Sequence, residues 1–127
     1  MDASVVVPGL LWIEGAEAAA LQGDEPLDAP ELLRTEVTTG FRHHVLGERT
    51  ITTRQGLEAL RRLEDLQIHY HFHGGMLHRV WELKDNLTAY DSTYVALAEH
   101  LSVPLLTADV RVARAPGPRC SIHLVRS

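Results

Sequence analysis

Four carboxylates in this sequence border apolar stretches and do not lie on polar faces: Asp2, Glu36, Asp91 and Asp109. Asp2 directly precedes a helical segment. Glu36 stands four residues after Leu32 and three after Leu33, so on a helix it borders the buried stripe. Asp91 precedes Tyr94, Val95 and Ala98 by three, four and seven residues and heads the inward face of its helix at the N-terminal turn. Asp109 follows the strand-like Val103–Leu106 and the link Thr107-Ala108. In an open parallel sheet, strand ends and helix starts gather along one edge, where ligands bind. Asp91 and Asp109 are expected to meet there, with Asp2 beside them. Carboxylates crowded into a partly buried site cannot all ionise unless a cation neutralises them. An all-oxygen set suits Mg²⁺ or Mn²⁺, ions that bind phosphates, activate water and stabilise the leaving oxygen in phosphodiester cleavage. Each acid also has a role that needs no metal. Asp91 completes a T-x-x-D capping box with Thr88, Asp109 can cap the next helix, and Glu36 can pair with an arginine.

The elements that must position these residues alternate between helix and short strand. Ser4–Trp12 reads as a helix with Ser4 as its N-cap and Pro8 near its first turn, and Glu14–Leu21 as a short alanine-rich helix. Leu27–Ala29 is a short strand. Pro30 opens a helix over 31–46 whose Leu33, Val37, Phe41 and Val45 recur every four residues. Thr52–Gln55 matches a capping box, followed by Leu57, Leu60 and Leu63 on one face. Gln67–Phe72 is a strand and Met76–Lys84 a helix. Thr88–His100 is a helix with Tyr94, Val95, Ala98 and Leu101 inward. Val103–Leu106 is a strand, a short helix follows Asp109, and Ser121–Val125 closes the chain as a strand. Helices alternating with short buried strands indicate an α/β fold with a parallel sheet.

Composition narrows the class. The 127 residues are 45% hydrophobic and 23% charged, which suits one globular domain over 1–127 and excludes a disordered chain. The single cysteine, Cys120, excludes an internal disulfide framework and a zinc ribbon and reads as a small core residue. Val5–Ile13, interrupted by Pro8 and Gly9, is shorter than the ~20 residues of a membrane span, and no basic region precedes it as in a secretory signal. A soluble, reduced, cytoplasmic protein with no membrane partner is expected. The net charge of −5 excludes a scavenger of bulk nucleic acid. Residues 1–41 are acidic, and the segment after Leu101 carries Arg111, Arg114, Arg119 and Arg126 against Asp109 alone. Arg111 and Arg114, at i, i+3 just beyond the acids, are candidate phosphate contacts, or simply a solvated helix face. His69, His71 and His73 alternate, with His78 near, but a single strand edge rarely converges on a metal, and they read as a solvated strand face. Trp12 and Trp81 read as core or dimer-interface residues. Gly74-Gly75 is a turn without the G-K-[ST] of a phosphate loop.

The segments "MDASVVVPGLL", "LDAPELLRTEVTTGFR" and "NLTAYDSTYVALAEHLSVPLLTADVRVARAPG" resemble the PIN domain, and specifically the VapC-type toxins of bacterial toxin–antitoxin pairs. The resemblance implies a three-layer α/β/α sandwich around a mostly parallel sheet, and a Mg²⁺- or Mn²⁺-dependent endoribonuclease. Its site acids would fall on Asp2, Glu36, Asp91 and Asp109, with Thr107 as a polar residue lining the site. It further implies an RNA substrate, a VapB-type antitoxin that places a basic side chain among the acids, and a homodimer. Two departures stand out. The family's first aspartate ends a strand of about four apolar residues, whereas only Met1 precedes Asp2 here. That strand is therefore predicted to be almost absent, and the functional protein to begin a few residues upstream with one. No further acid follows Asp109 closely. The competing expectations are a catalytically impaired PIN-like module that binds RNA or protein, and a receiver-like phosphoacceptor relying on Lys84, the sole lysine.

Overall fold

The computed structural model describes residues 1–12 and 15–125. Glu14, the predicted start of the second helix, and Arg126 of the basic tail lie outside the described residues. The element order is α1 (Ala3–Leu11), α2 (Ala16–Leu21), β1 (Leu27–Pro30), α3 (Leu32–Arg42), a π-helical turn (His43–Gly47), α4 (Thr53–Asp65), β2 (Ile68–His71), a 3₁₀ turn (Gly74–Met76), α5 (Leu77–Glu82), α6 (Ala89–Leu101), β3 (Leu105–Thr107), α7 (Val110–Arg114) and β4 (Ile122–Leu124). The expected α/β alternation and parallel pairing are present.

The strands form two parallel pairs. In one, β1 lies beside β2 with Asp28 opposite His69; in the other, β3 lies beside β4. Met1 and Asp2 reach both pairs. The Met1 ammonium approaches the Asp28 carbonyl at 3.5 Å, and the Asp2 amide donates to the Leu106 carbonyl at 3.1 Å. Two contacts bridge β1 and β3 without making a strand, so the sheet is divided at its centre. Helix α6 packs against strands of both pairs, while α3 packs on β1 and α1 on β3. A helix in that position is buried on most of its circumference, and Ser92–Ala98 are all buried. One apolar cluster joins Val5, Val6, Leu33, Val37, Val95, Leu105 and Val112 across these layers.

Local chemistry accounts for the helix starts. Thr52 and Gln55 form the complete reciprocal capping box at α4. Pro30 is buried at the end of β1, where it needs no donor, and the ladder continues through the Glu31 amide to the His71 carbonyl at 3.0 Å. At α1 the N-cap is Asp2, not Ser4, because the Asp2 carboxylate accepts the Ser4 amide at 3.1 Å. The helix therefore starts earlier than predicted, and Pro8 falls in its interior. The helix predicted over 31–46 keeps α geometry only to Arg42. It then widens into a π turn closed by the Glu48 amide on the His43 carbonyl at 3.0 Å. Leu57 is 48% exposed, since the buried stripe of α4 is Gly56, Ala59 and Leu63. Trp12 and Trp81, at 48% and 69% exposure, are not core residues. A bidentate pair of the Arg79 guanidinium on Glu99, at 2.7 and 3.0 Å, ties α5 to α6.

Close helix packing gives a test. A Cβ on Gly9 would sit 2.6 Å from Leu21 Cδ1 and 3.0 Å from the Glu17 carbonyl oxygen, whereas one on Gly23 would meet only the Ala20 carbonyl oxygen at 4.0 Å. Alanine is preferred to glycine inside a helix by about 1 kcal/mol, but forcing α2 away from α1 costs about 1–3 kcal/mol. Gly9→Ala is expected to lower the urea unfolding midpoint, with Gly23→Ala neutral. A midpoint raised by Gly9→Ala would show that α2 yields freely.

Candidate active site

Asp2 is the most constrained of the four acids. It is 5% exposed. Its Oδ1 accepts the Ser4 amide at 3.1 Å and the Ser4 hydroxyl, and its Oδ2 accepts the Thr107 hydroxyl at 2.6 Å. Thr107, fully buried at the end of β3, in turn accepts the Asp109 amide at 3.1 Å, and the Ser4 hydroxyl oxygen accepts the Ala108 amide at 2.7 Å. Each hydroxyl has one proton, and both protons point at Asp2. The 3.2 Å approach of the Ser4 and Thr107 oxygens is thus a contact of two groups sharing one acceptor. This network ties the start of α1 to the link between β3 and α7.

Glu36 faces the same region from α3. Its Oε1 accepts the Tyr94 hydroxyl of α6 at 2.5 Å. Burial raises the Glu36 carboxyl above its ordinary range; the Tyr94 bond opposes that, and the charges of Asp91 and Asp2 add to it. Burial likewise raises Asp91, moderated by the Thr88 hydroxyl and reinforced by Asp109. Asp2 is raised by burial against its Ser4 and Thr107 hydrogen bonds. The Tyr94 phenol is held far above its usual range by burial, by its bond to Glu36, and by the charges of Glu36, Asp2 and Asp91. Asp2, Glu36 and Asp91 therefore lie within range of one another or of a shared phenol, and Asp109 within range of Asp91.

The roles that need no metal are partly filled. Thr88 accepts the Asp91 amide at 3.1 Å, but only that half of the capping box forms, unlike at Thr52–Gln55. The Asp91 carboxylate is thus not consumed by capping. Glu36 pairs with a phenol and not with the arginine considered from sequence. Asp109 does cap α7, accepting the Arg111 amide at 2.9 Å, and the Arg111 guanidinium grips it at 2.9 and 3.2 Å. The Arg111 hydrogen bond holds Asp109 below its ordinary range. Arg114 is exposed.

The donor set is all oxygen, with Arg111 paired to it through Asp109. Carboxylates whose proton affinity is raised by burial, with Glu36 pushed further by Asp91 and Asp2, are the condition a divalent cation relieves. The residues fit a hard ion by chemistry, although they stand wider apart than a ligand cluster. Among the described residues, the trio whose ligating atoms all lie within 4.8 Å of one another is a different one: Asp28, His69 and His71. Sequence reasoning also missed Ser4 and Tyr94 as members of this site. Ser4 read as a cap, but its position two residues after Asp2 suits an Asx-type contact. Tyr94 read as a core residue, yet a buried phenol needs a hydrogen-bond partner, and its helical face is that of Asp91.

The raised carboxyls set a sign for the pH dependence. Above about pH 4, the ordinary carboxylate range, folded Asp2, Glu36 and Asp91 retain protons that the unfolded chain has released. The unfolding free energy therefore falls as pH rises through that window. Asp109 and Glu99 are lowered and act on the other side: their stabilisation is present above the ordinary range and is lost in acid. Without divalent cations, the melting temperature is expected to decline from about pH 4.5 toward neutrality, and Glu36→Gln to flatten the decline. A wild-type profile that is flat or rising over that window would contradict the raised proton affinity of these buried acids.

Comparison with known proteins bears on the same residues. No protein-family model matches the chain. The chain is 42% identical to Ribonuclease VapC1 of Mycobacterium tuberculosis over 131 residues, covering 99% of this chain and 96% of that protein. It is 34% identical to Ribonuclease VapC9 of the same organism over 125 residues, covering 98% and 96%, and 33% identical to its Ribonuclease VapC12 over 127 residues, covering 98% and 97%. Similarity of this degree along the whole length, on an α/β fold whose strands pair in parallel, shows that the chain belongs to the VapC family of PIN-domain toxins.

Proposed function

We propose that this protein is an endoribonuclease toxin that hydrolyses RNA phosphodiester bonds with Mg²⁺ or Mn²⁺ held by Asp2, Glu36, Asp91 and Asp109. The observation that carries the proposal is the partly buried set of Asp2, Glu36 and Asp91 around the Tyr94 phenol, each raised by burial and Glu36 further by Asp91 and Asp2, while Arg111 is spent on Asp109. The names of the VapC relatives, all ribonucleases, support it. A divalent cation bound there supplies Lewis-acid activation of water and neutralises charge that develops on the phosphate.

The chain's own residues prepare the site in distinct ways. Ser4 and Thr107 aim all their hydroxyl protons at Asp2 and favour its ionised form against the pull of burial. Tyr94 fixes the rotamer of Glu36 by donating to it, and as a phenol that does not ionise it adds no negative charge to the site. Asp91 stands at the first turn of α6, where the helix N-terminus favours a negative charge. Arg111 has an 89% exposed side chain and therefore room to exchange Asp109 for an RNA phosphate, with Arg114 one turn away as a second phosphate contact. A VapB-type antitoxin would neutralise the site by laying a basic side chain among these acids, and the protein would act in the cytoplasm as a homodimer. No helix among the described residues is long and apolar enough to cross a membrane.

The grip of Arg111 on Asp109 favours one other reading, a PIN-like module that binds RNA or protein without cleaving it. One experiment separates the two. Wild-type protein is expected to cleave RNA with Mn²⁺ or Mg²⁺ and to lose the activity with chelator. Asp91→Asn is expected to lower the cleavage rate roughly 100-fold or more while the melting temperature without metal holds or rises, since Thr88 still caps α6 and a buried charge is removed. Undiminished cleavage by Asp91→Asn would remove Asp91 from the site. RNA binding by the wild type without metal-dependent cleavage would establish the binding module.

A further inference from the structure

We propose that Asp28, His69 and His71 form a second cation site, selective for a borderline transition metal of the zinc class, on the β1–β2 pair. The alternation of a strand puts His69 and His71 on one face, and the parallel register sets Asp28 of β1 opposite His69. Sequence reasoning set these histidines aside because one strand edge rarely converges on a metal. Convergence comes from the neighbouring strand, which sequence distance conceals: Asp28 and His71 are 43 positions apart.

The geometry distinguishes a site from an ion pair. His71 Nε2 lies 2.8 Å from Asp28 Oδ1, which a hydrogen bond alone explains. His69 Nδ1 points to the same oxygen from 3.8 Å, too far for that bond, with its ring 4.4 Å from the His71 ring. All three ligating atoms lie within 4.8 Å of one another. Ligands about 2.0–2.1 Å from zinc at tetrahedral angles are about 3.3 Å apart, and 2.8 and 3.8 Å bracket that spacing. The side chain of His69 is 76% exposed, so it closes the remaining gap without disturbing the core. Asp28 and His71 are mostly buried and held on paired strands.

Donor chemistry separates this trio from the carboxylates of the proposed nuclease site. Two imidazoles and one carboxylate suit Zn²⁺, Ni²⁺ or Cu²⁺, whereas Mg²⁺ prefers oxygen ligands alone. Three protein ligands leave a position for water or an exogenous ligand. An ion here would clamp a two-stranded pair of four-residue strands, marginal by itself. It would also stiffen β1, which runs through Pro30 into α3 and hence to Glu36.

The test uses the full chain without a histidine tag, in excess Mg²⁺ so that oxygen-only sites are filled. Zn²⁺ is titrated by calorimetry and Co²⁺ by its visible absorption. The expected result is one ion per chain, a Co²⁺ band of the intensity given by a four-coordinate site, and a melting temperature raised by roughly 10 °C at Zn²⁺ a hundredfold above its dissociation constant. His69→Asn should weaken binding tenfold or more, and the double variant His69→Asn, His71→Asn should abolish it, while Glu36→Gln binds as the wild type does. If the double variant fails to fold, His69→Asn decides, because that side chain is exposed. Three results would overturn the proposal: no zinc-dependent heat or melting shift in the wild type, leaving an ion pair only; unchanged binding in His69→Asn; or binding lost in Glu36→Gln, which would assign the ion to the carboxylates.

Discussion

The Asp2 carboxylate is the contact on which the rest of the arrangement depends. It caps α1, receives the hydroxyl protons of Ser4 and Thr107, and through Thr107 and Ser4 reaches the amides of Asp109 and Ala108. Its own amide bonds to Leu106. Removing a buried acceptor from such a network strands several donors at once, at about 1–3 kcal/mol each. This network and helix α6 help to join the β1–β2 and β3–β4 pairs. A residue that a nuclease would use for metal binding is thus also the structural joint of the sheet.

That double role creates a conflict between stability and charge. Burial favours the protonated forms of Asp2, Glu36 and Asp91, helped at Glu36 and Asp91 by neighbouring acids, while a hard cation needs them ionised. The surrounding hydroxyls resolve the conflict in part. Ser4, Thr107, Tyr94 and Thr88 donate protons or polar contacts toward the carboxylates without adding positive charge, so they favour ionisation yet do not compete as cations. Arg111 differs. It neutralises Asp109 outright, but from an exposed position where the pair is worth little and exchanges easily.

The Asp28–His69–His71 trio offers a donor set different from that of the four acids. The same strand β1 ends near the oxygen-rich region through α3 and carries a nitrogen-rich cluster with its neighbour β2. If both proposed sites hold ions, selectivity between hard and borderline cations would be set by ligand type and not by overall charge.

Much was determined by the sequence alone. The alternation of helix and short strand, the parallel pairing, the Thr52–Gln55 box, the position of Asp2, Asp91 and Asp109 at helix starts and that of Glu36 beside a buried stripe all follow from local spacing, because caps and amphipathic faces are written within a few residues. The membership in the VapC family was legible in motifs that run in contiguous stretches. Only tertiary structure decided the partners. That Tyr94 serves Glu36, 58 positions away, that Ser4 and Thr107 share Asp2 across the sheet, that Arg111 is spent on Asp109, and that Asp28 turns a histidine strand into a convergent trio depend on which elements lie side by side. The sheet register and the packing of α6 fix those neighbours, and no local pattern of residues encodes a distance between segments forty or a hundred positions apart.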